Sequence, residues 1–199
     1  MKVKSKGGRP REFDPEAALD AATSVFWRHS YSGAPVDQVV SAMGMSKPSV
    51  YAAFGSKIDV YCKALDAFCE GLLTAINNAA ESDQPIKPKL IRLLNQEIDF
   101  YCQENPPRGC FLFCTAPAET ANDPRILKKL AAMIKQIDSG FERLIERAKE
   151  RGELPQDSDA NTLAVSLQAM LQTIAIRARA GESNKSLKSS VKKYVECLI

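Results

Sequence analysis

The sequence predicts an all-α protein of about nine helices, and three observations carry that reading. Apolar residues recur at intervals of three and four along most of the 199 residues. No stretch alternates convincingly with a period of two, so no sheet is expected. Asp14-Pro15 and Asp123-Pro124 read as helix starts, and Gly152 as a stop.

The first helix opens at Asp14-Pro15-Glu16: a side-chain cap, a proline at the first helical position and an acid in the first turn. Its stripe is Ala18, Leu19, Ala22, Val25 and Phe26. Val36 to Met43 forms a second, short helix, and Lys47 to Phe54 a third. Ser56 begins a long fourth, whose apolar face is Tyr61, Leu65, Phe68, Leu72 and Ile76. A break over Asp83 to Pro88 precedes a helix with Leu90, Leu94, Ile98 and Tyr101, ended by Asn105-Pro106-Pro107. The compact segment "RGCFLFCTAPAET" follows. Asp123-Pro124 then starts the longest pattern: Ile126, Leu130, Ile134, Ile137, Phe141, Leu144 and Ala148. Asp157 or Ser158 is expected to cap the next helix, with Leu163, Leu167, Met170, Leu171 and Ile174 on its apolar side. The last helix carries Leu187, Val191, Tyr194, Val195 and Leu198. Short helices ahead of long ones suggest an arm at 1–13, one unit at 14–60 and a second at 61–199.

Apolar residues at 45% and charged ones at 26% give the balance of a soluble globular protein. No apolar run approaches the roughly 20 residues of a membrane span, so no membrane partner is expected. The start, "MKVKSKGGRPREF", is basic but lacks the apolar core of a signal peptide. A cytoplasmic location follows, with the six cysteines mostly as thiols. The net charge of +3 is concentrated. Residues 1–57 hold eight Lys/Arg against five Asp/Glu, whereas the remainder is balanced. The first eleven residues carry Lys2, Lys4, Lys6, Arg9 and Arg11 with no acid, and such arms commonly contact nucleic acid.

Residues 36–57 concentrate the functional signal. A helix, a tight turn at Gly44-Met45 and a second short helix make a helix-turn-helix plan. Ser46 is placed to cap the second helix, and Pro48 lies in its first turn, where no amide bond is lost. Val39, Val40, Met43, Val50 and Phe54 are spaced to hold the pair together. Lys47, Ser49, Tyr51 and Ala52 are left outside, on a face with no acid between Gln38 and Ser56. Small side chains let a helix approach base edges, and Lys47 and Tyr51 can reach phosphates. Lys57 opposes the helix dipole at the start of the fourth helix, which suits a phosphate clamp beside free amides.

On "GRPREFDPEAALDAATSVFW" and "VDQVVSAMGMSKPSVYAAFGSK" the chain resembles the tetracycline-repressor (TetR) family of bacterial transcription regulators, over about residues 8–70. The resemblance implies an all-helical homodimer with an N-terminal DNA-binding domain and a C-terminal ligand-binding domain. By position it implies Lys47, Pro48, Ser49, Tyr51 and Ala52 as recognition-helix residues and Lys57 as the phosphate clamp, with Arg9 and Arg11 as a basic arm. The partners implied are a pseudo-palindromic double-stranded operator and a small-molecule effector. Two departures stand out. Ser30 precedes Tyr31 where the family favours glycine, and Ala34-Pro35 replaces the hydroxyl cap of the second helix.

The C-terminal part needs a dimer face and a pocket. Leu163, Leu167, Leu171 and Ile174, joined by Val191, Tyr194 and Leu198, give the interface candidates. Pocket candidates are Phe100, Tyr101, Phe111, Phe113, Met133, Ile137, Phe141 and Met170, with Gln136, Gln168 and Arg177 as polar contacts. Arg177 would favour an anion. Cys110 follows Arg108-Gly109 near a helix start, and Cys114 is one turn on; both features would lower a thiol pKa and suit sensing of oxidants or electrophiles. The alternative is that both are buried apolar thiols. No close Cys/His cluster suggests zinc, and no cofactor is expected. The sole histidine, His29, leaves little for catalysis, and no phosphate loop or nucleophile elbow is present. A helical adaptor is the remaining rival; it would need neither the basic arm nor Lys57.

Overall fold

The Asp14 carboxylate caps α1 (Pro15–Gly33), accepting from the amides of Glu16 at 3.0 Å and Ala17 at 3.5 Å. The computed structural model describes residues 14–104 and 108–199. Among them nine helices and no strand are present. After α1 come α2 (Val36–Ala42), α3 (Lys47–Phe54), α4 (Lys57–Glu81), α5 (Ile86–Tyr101), α6 (Phe111–Glu119), α7 (Pro124–Glu150), α8 (Ala160–Arg179) and α9 (Asn184–Leu198).

Two expected boundaries move. The break after α4 is shorter than expected, because α5 begins at Ile86 and takes Lys87 and Pro88 into its first turn. A proline there forfeits no bond, since the first amides of a helix have no intrahelical acceptor. The cap of α8 is Asp159, neither Asp157 nor Ser158; its carboxylate accepts from Asn161 and Thr162, both at 3.1 Å. Three capping side chains in a row cannot be ranked without the backbone that follows them.

A single contiguous core runs from Ala18 and Phe26 in α1 to Val195 in α9. α4 packs on α1 and α7, α7 on α8, and α5 on α9 and α8. The division at residue 60 falls inside α4, which therefore belongs to both ends of the molecule. α6 is enclosed by α1, α4, α7 and α8, with Phe111, Leu112, Phe113, Thr115, Ala116 and Glu119 all buried. A helix wrapped on every side loses its amphipathic period, which is why the sequence marked this stretch only as compact. Gly109 makes the approach possible: at φ 67° it positions the chain so that a Cβ would fall 2.3 Å from the Ala175 carbonyl oxygen. Thr115 donates to the Phe111 carbonyl at 2.7 Å, so the Tyr61 hydroxyl donates to Thr115 at 2.8 Å and ties α4 to α6.

α1 is kinked at Ser30, at φ 59° and ψ −179°. This region is close to glycine-only, and a side chain there costs of the order of 1–3 kcal/mol. The departure from the family's glycine is thus a strained position. Ser30→Gly is expected to stabilise the protein by about 1 kcal/mol, raising the melting midpoint by about 2–4 °C. A midpoint that stays or falls would show that the kink is not strained in solution.

Candidate nucleic-acid interface

The helix-turn-helix closes as its sequence implies. Val39, Met43, Val50 and Phe54 are buried and Val40 half-buried, leaving small and polar side chains and the Tyr51 ring on the outer side of α3. Gly44 takes φ 65° in the turn, and its amide donates to the Ser41 carbonyl at 3.1 Å. Ser46 caps α3, its hydroxyl oxygen accepting from the Ser49 amide at 3.3 Å. Lys47, Pro48, Ser49, Ala52 and Tyr51 (44% exposed) all face outward. Among the described residues no side chain caps α2. The Pro35 carbonyl accepts from Gln38 and Val39, each at 3.1 Å, and Ala34 is buried.

Lys47 is not free. Its Nζ lies 3.1 Å from Asp37 Oδ1 on α2, and this hydrogen bond raises the lysine pKa. An incoming phosphate must compete with that carboxylate. Asp37→Asn is therefore expected to tighten DNA binding by roughly three- to tenfold at low salt and less at high salt. Titration of labelled duplex at two salt concentrations reads this, and unchanged affinity would place Lys47 away from the phosphates.

Lys57, the first residue of α4, is half-buried, with its Nζ 4.5 Å from the centroid of the Tyr31 ring. Burial lowers its pKa, and the Glu119 charge opposes this. The cation is thus held over an aromatic face at the N-terminus of a helix. Asp59 completes that terminus, accepting from the Ser56 amide at 2.8 Å and hydroxyl at 2.5 Å, which lowers its pKa. Arg125 of α7 reaches the same carboxylate at 3.3 Å.

Glu119 of α6 joins this region to the body. It accepts from the Ser32 amide at 2.9 Å, the Ser32 hydroxyl at 2.5 Å and Asn122 at 2.7 Å. Burial pushes its carboxyl up, but these bonds win and hold it below the usual range. Nothing local in the sequence assigns Tyr31, Asp37 or Glu119 to this site. Their partners lie 10 to 87 positions away, beyond the reach of any helical period. His29 Nε2 lies 3.3 Å from Gln38 Nε2, linking α1 to α2. Arg9 and Arg11 lie outside the described residues.

The pocket candidates do not converge. Tyr101, Phe111, Phe113, Met133, Ile137, Phe141 and Gln168 are buried and Met170 is half-buried. Phe100 is half-exposed in a groove between α1, α4 and α5, whereas Met133 and Gln136 line a separate one between α4 and α7. Arg177 is exposed and paired with Glu182 at 2.8 Å, so it does not supply an anion site inside the bundle. Helical spacing separates inside from outside, and cannot tell packed interior from cavity wall.

The thiol reading is overturned by burial. Cys110 is buried at the cap position of α6, which pushes its pKa far up. Arg108 does not oppose this, since its guanidinium lies over Trp27 and pairs with Glu104. Cys114 is half-buried, raised in pKa by burial, and donates to the Ala175 carbonyl at 3.7 Å. Neither favours the thiolate that sensing needs.

The dimer candidates also need correction. Leu167, Leu171, Ile174 and Val191 are buried in their own protomer, and Leu163, Tyr194 and Leu198 are half-buried. The outer side of α8 is instead the stripe of Val165 (45% exposed), Ala169 and Ile176 (58% exposed). A helix carrying apolar residues on two faces gave the sequence no way to rank them.

Among the described residues, no helix is long and apolar enough to cross a membrane, and no group of three or more His, Cys, Asp or Glu could hold a metal. Residues 18–61 match the family described as bacterial regulatory proteins, tetR family. Residues 87–194 match the tetracyclin repressor-like C-terminal domain. The HTH-type transcriptional repressor ComR of Escherichia coli K12 is 29% identical over 191 residues, covering 93% of this chain and 89% of ComR. The regulator YezE of Bacillus subtilis is 26% identical, covering 79% of this chain and 81% of its own. A cysteine mutant of the TetR family regulator CifR, solved with a 26-bp double-strand operator, superposes with a TM-score of 0.87. It is 26% identical, over 94% of this chain and 98% of CifR.

Proposed function

The chain belongs to the TetR family of regulators, and from that premise we propose that α3 is its DNA-reading helix. It is a DNA-binding transcription regulator, not an enzyme; it acts as a homodimer and answers to a small-molecule effector. The observation that carries the assignment of α3 is its acid-free outer face, Lys47, Pro48, Ser49, Tyr51 and Ala52, ending beside Lys57 at the start of α4. Ser49 and Ala52 approach base edges, Lys47 and Tyr51 take the backbone, and Lys57 with the α4 amides holds a phosphate. Arg9 and Arg11 extend the contact along the duplex. Residues 14–60 form the reading head and 61–199 the body that binds effector and partner.

The partner surface is the outer stripe of α8, around Val165, Ala169 and Ile176. Two-fold symmetry then sets the two heads about one DNA turn apart on a pseudo-palindromic operator. The regulator acts as a repressor in the cytoplasm, and effector binding shifts α4 and changes head separation. Selection of bound DNA from a random pool, at two salt concentrations, tests this. An enriched pseudo-palindrome with half-sites about one turn apart is the expected result. Binding at low salt alone, with nothing enriched, would leave only the basic arm and overturn the assignment of α3.

A further inference from the structure

Between α1, α4 and α5 lies a groove of about 330 Å3 that the helix-turn-helix does not use. Its wall is aromatic. Trp27 and Phe68 meet edge to face with centroids 5.0 Å apart, and Phe100 lies 5.7 Å from Trp27 and 5.8 Å from Phe68. Phe100 is 39% exposed, whereas Trp27 is 7% exposed. Among the described residues, the buried Trp27 Nε1–H has no hydrogen-bond partner. Buried donors of this kind are normally answered, by protein, water or ligand.

The charges on the lining select against ions. Arg108 lays its guanidinium 5.5 Å from the Trp27 ring centroid and pairs with Glu104, so the pair is neutral. Among the described lining residues Asp20 is the remaining charge, exposed on the rim. An anion would face both Asp20 and Glu104, and a cation would have to displace Arg108 from the aromatic face it already occupies. The groove is also wired to the rest of the molecule. Arg179 Nη1 of α8 donates to the Trp27 carbonyl at 3.5 Å and the Arg108 carbonyl at 3.3 Å. One wall is α1, part of the reading head; the others carry Phe68 of α4 and Phe100 of α5 and belong to the body.

We propose that this groove is the effector site, and that it takes an uncharged, flat aromatic molecule bearing a carbonyl-type acceptor for the Trp27 indole N–H. The proposal rests on the reading of the chain as an effector-responsive regulator. A flat ring lying on the exposed side of Phe100 gains offset or edge-to-face contact, leaves Arg108 on the Trp27 face, and reaches the buried indole N–H at the ring edge as the wall opens. It also separates α1 from α5, and Arg179 passes that displacement to α8.

Trp27 is the sole tryptophan, so its emission reports the groove directly. The full-length protein is titrated with flavone, which is flat, uncharged and carries a ring carbonyl. Trp27 emission lifetime is read alongside affinity for the selected operator. Saturable quenching is expected, together with at least a tenfold loss of operator affinity at saturation. Phe100→Ala, shown folded by its helical circular dichroism, should weaken the quenching titration at least tenfold. Quenching that does not saturate, that persists unchanged in Phe100→Ala, or that leaves operator affinity unmoved overturns the proposal. Tighter binding of 2-naphthoate or N-methylquinolinium overturns the ligand class. Specific operator binding with a silent Trp27 sinks the groove alone, whereas no specific operator binding by the free protein sinks the regulator reading beneath it.

Discussion

Ile176→Glu is expected to convert the dimer to a monomer at micromolar concentration and to weaken operator binding by a hundredfold or more. Ile176 is 58% exposed on the outer face of α8, about two turns beyond Ala169 and three beyond Val165. In a two-fold interface one substitution acts twice. Each copy loses the burial of an apolar side chain, about 1.5–3 kcal/mol, and adds a carboxylate that pairing would desolvate. Loss of the dimer turns one two-headed binding event into two independent ones. With effective concentrations near the millimolar range, that separation costs on the order of 10²–10⁴ in affinity. Sedimentation velocity reads the first effect and operator titration the second. Leu127→Glu is the control: Leu127 is 54% exposed on α7, away from that stripe, and its change should leave the dimer intact. A monomer from Leu127→Glu and a dimer from Ile176→Glu would move the interface off α8.

Lys57→Met is expected to weaken operator binding by about a hundredfold or more while keeping the side-chain stem on Tyr31. A charged hydrogen bond contributes about 1.5–3 kcal/mol, and the dimer presents two such lysines. Removing one lysine–phosphate pair should flatten the dependence of log K on log salt by about 0.9, so the dimer's slope should fall by about two units. Lys57→Arg should recover part of both. Tyr51→Ala should likewise weaken binding across sequences, whereas changes at Ser49 or Ala52 should alter which sequences are preferred. Equal loss for all four, with an unchanged salt slope, would remove the division between phosphate and base contacts. Burial of Lys57 gives this test its edge: a lysine merely tolerated on the surface would be exposed, and this one is held 4.5 Å from an aromatic centroid with its pKa lowered by desolvation.

The helices, the helix-turn-helix and the outer face of α3 are legible along the chain. Those features are local: Asp14 and Ser46 cap within three residues, Gly44 turns the chain in place, and the spacing of Val50 and Phe54 dictates that Tyr51 and Ala52 point away. Short-range physics is written where it acts. The environment of each side chain, by contrast, comes from how the helices pack. Cys110 looked activated by its neighbours in sequence, and packing of α6 on four helices buried it instead. Leu167, Leu171 and Ile174 looked like a partner surface, and α7 and α5 took that face, leaving Val165 and Ile176 outside. Asp37 on Lys47, Tyr31 under Lys57, and Glu119 on Ser32 join residues up to 87 positions apart. No period or cap signals such pairs. They exist only once burial of the whole apolar set has fixed which helices lie side by side, and it is that choice, not any local preference, that sets charge, exposure and pKa.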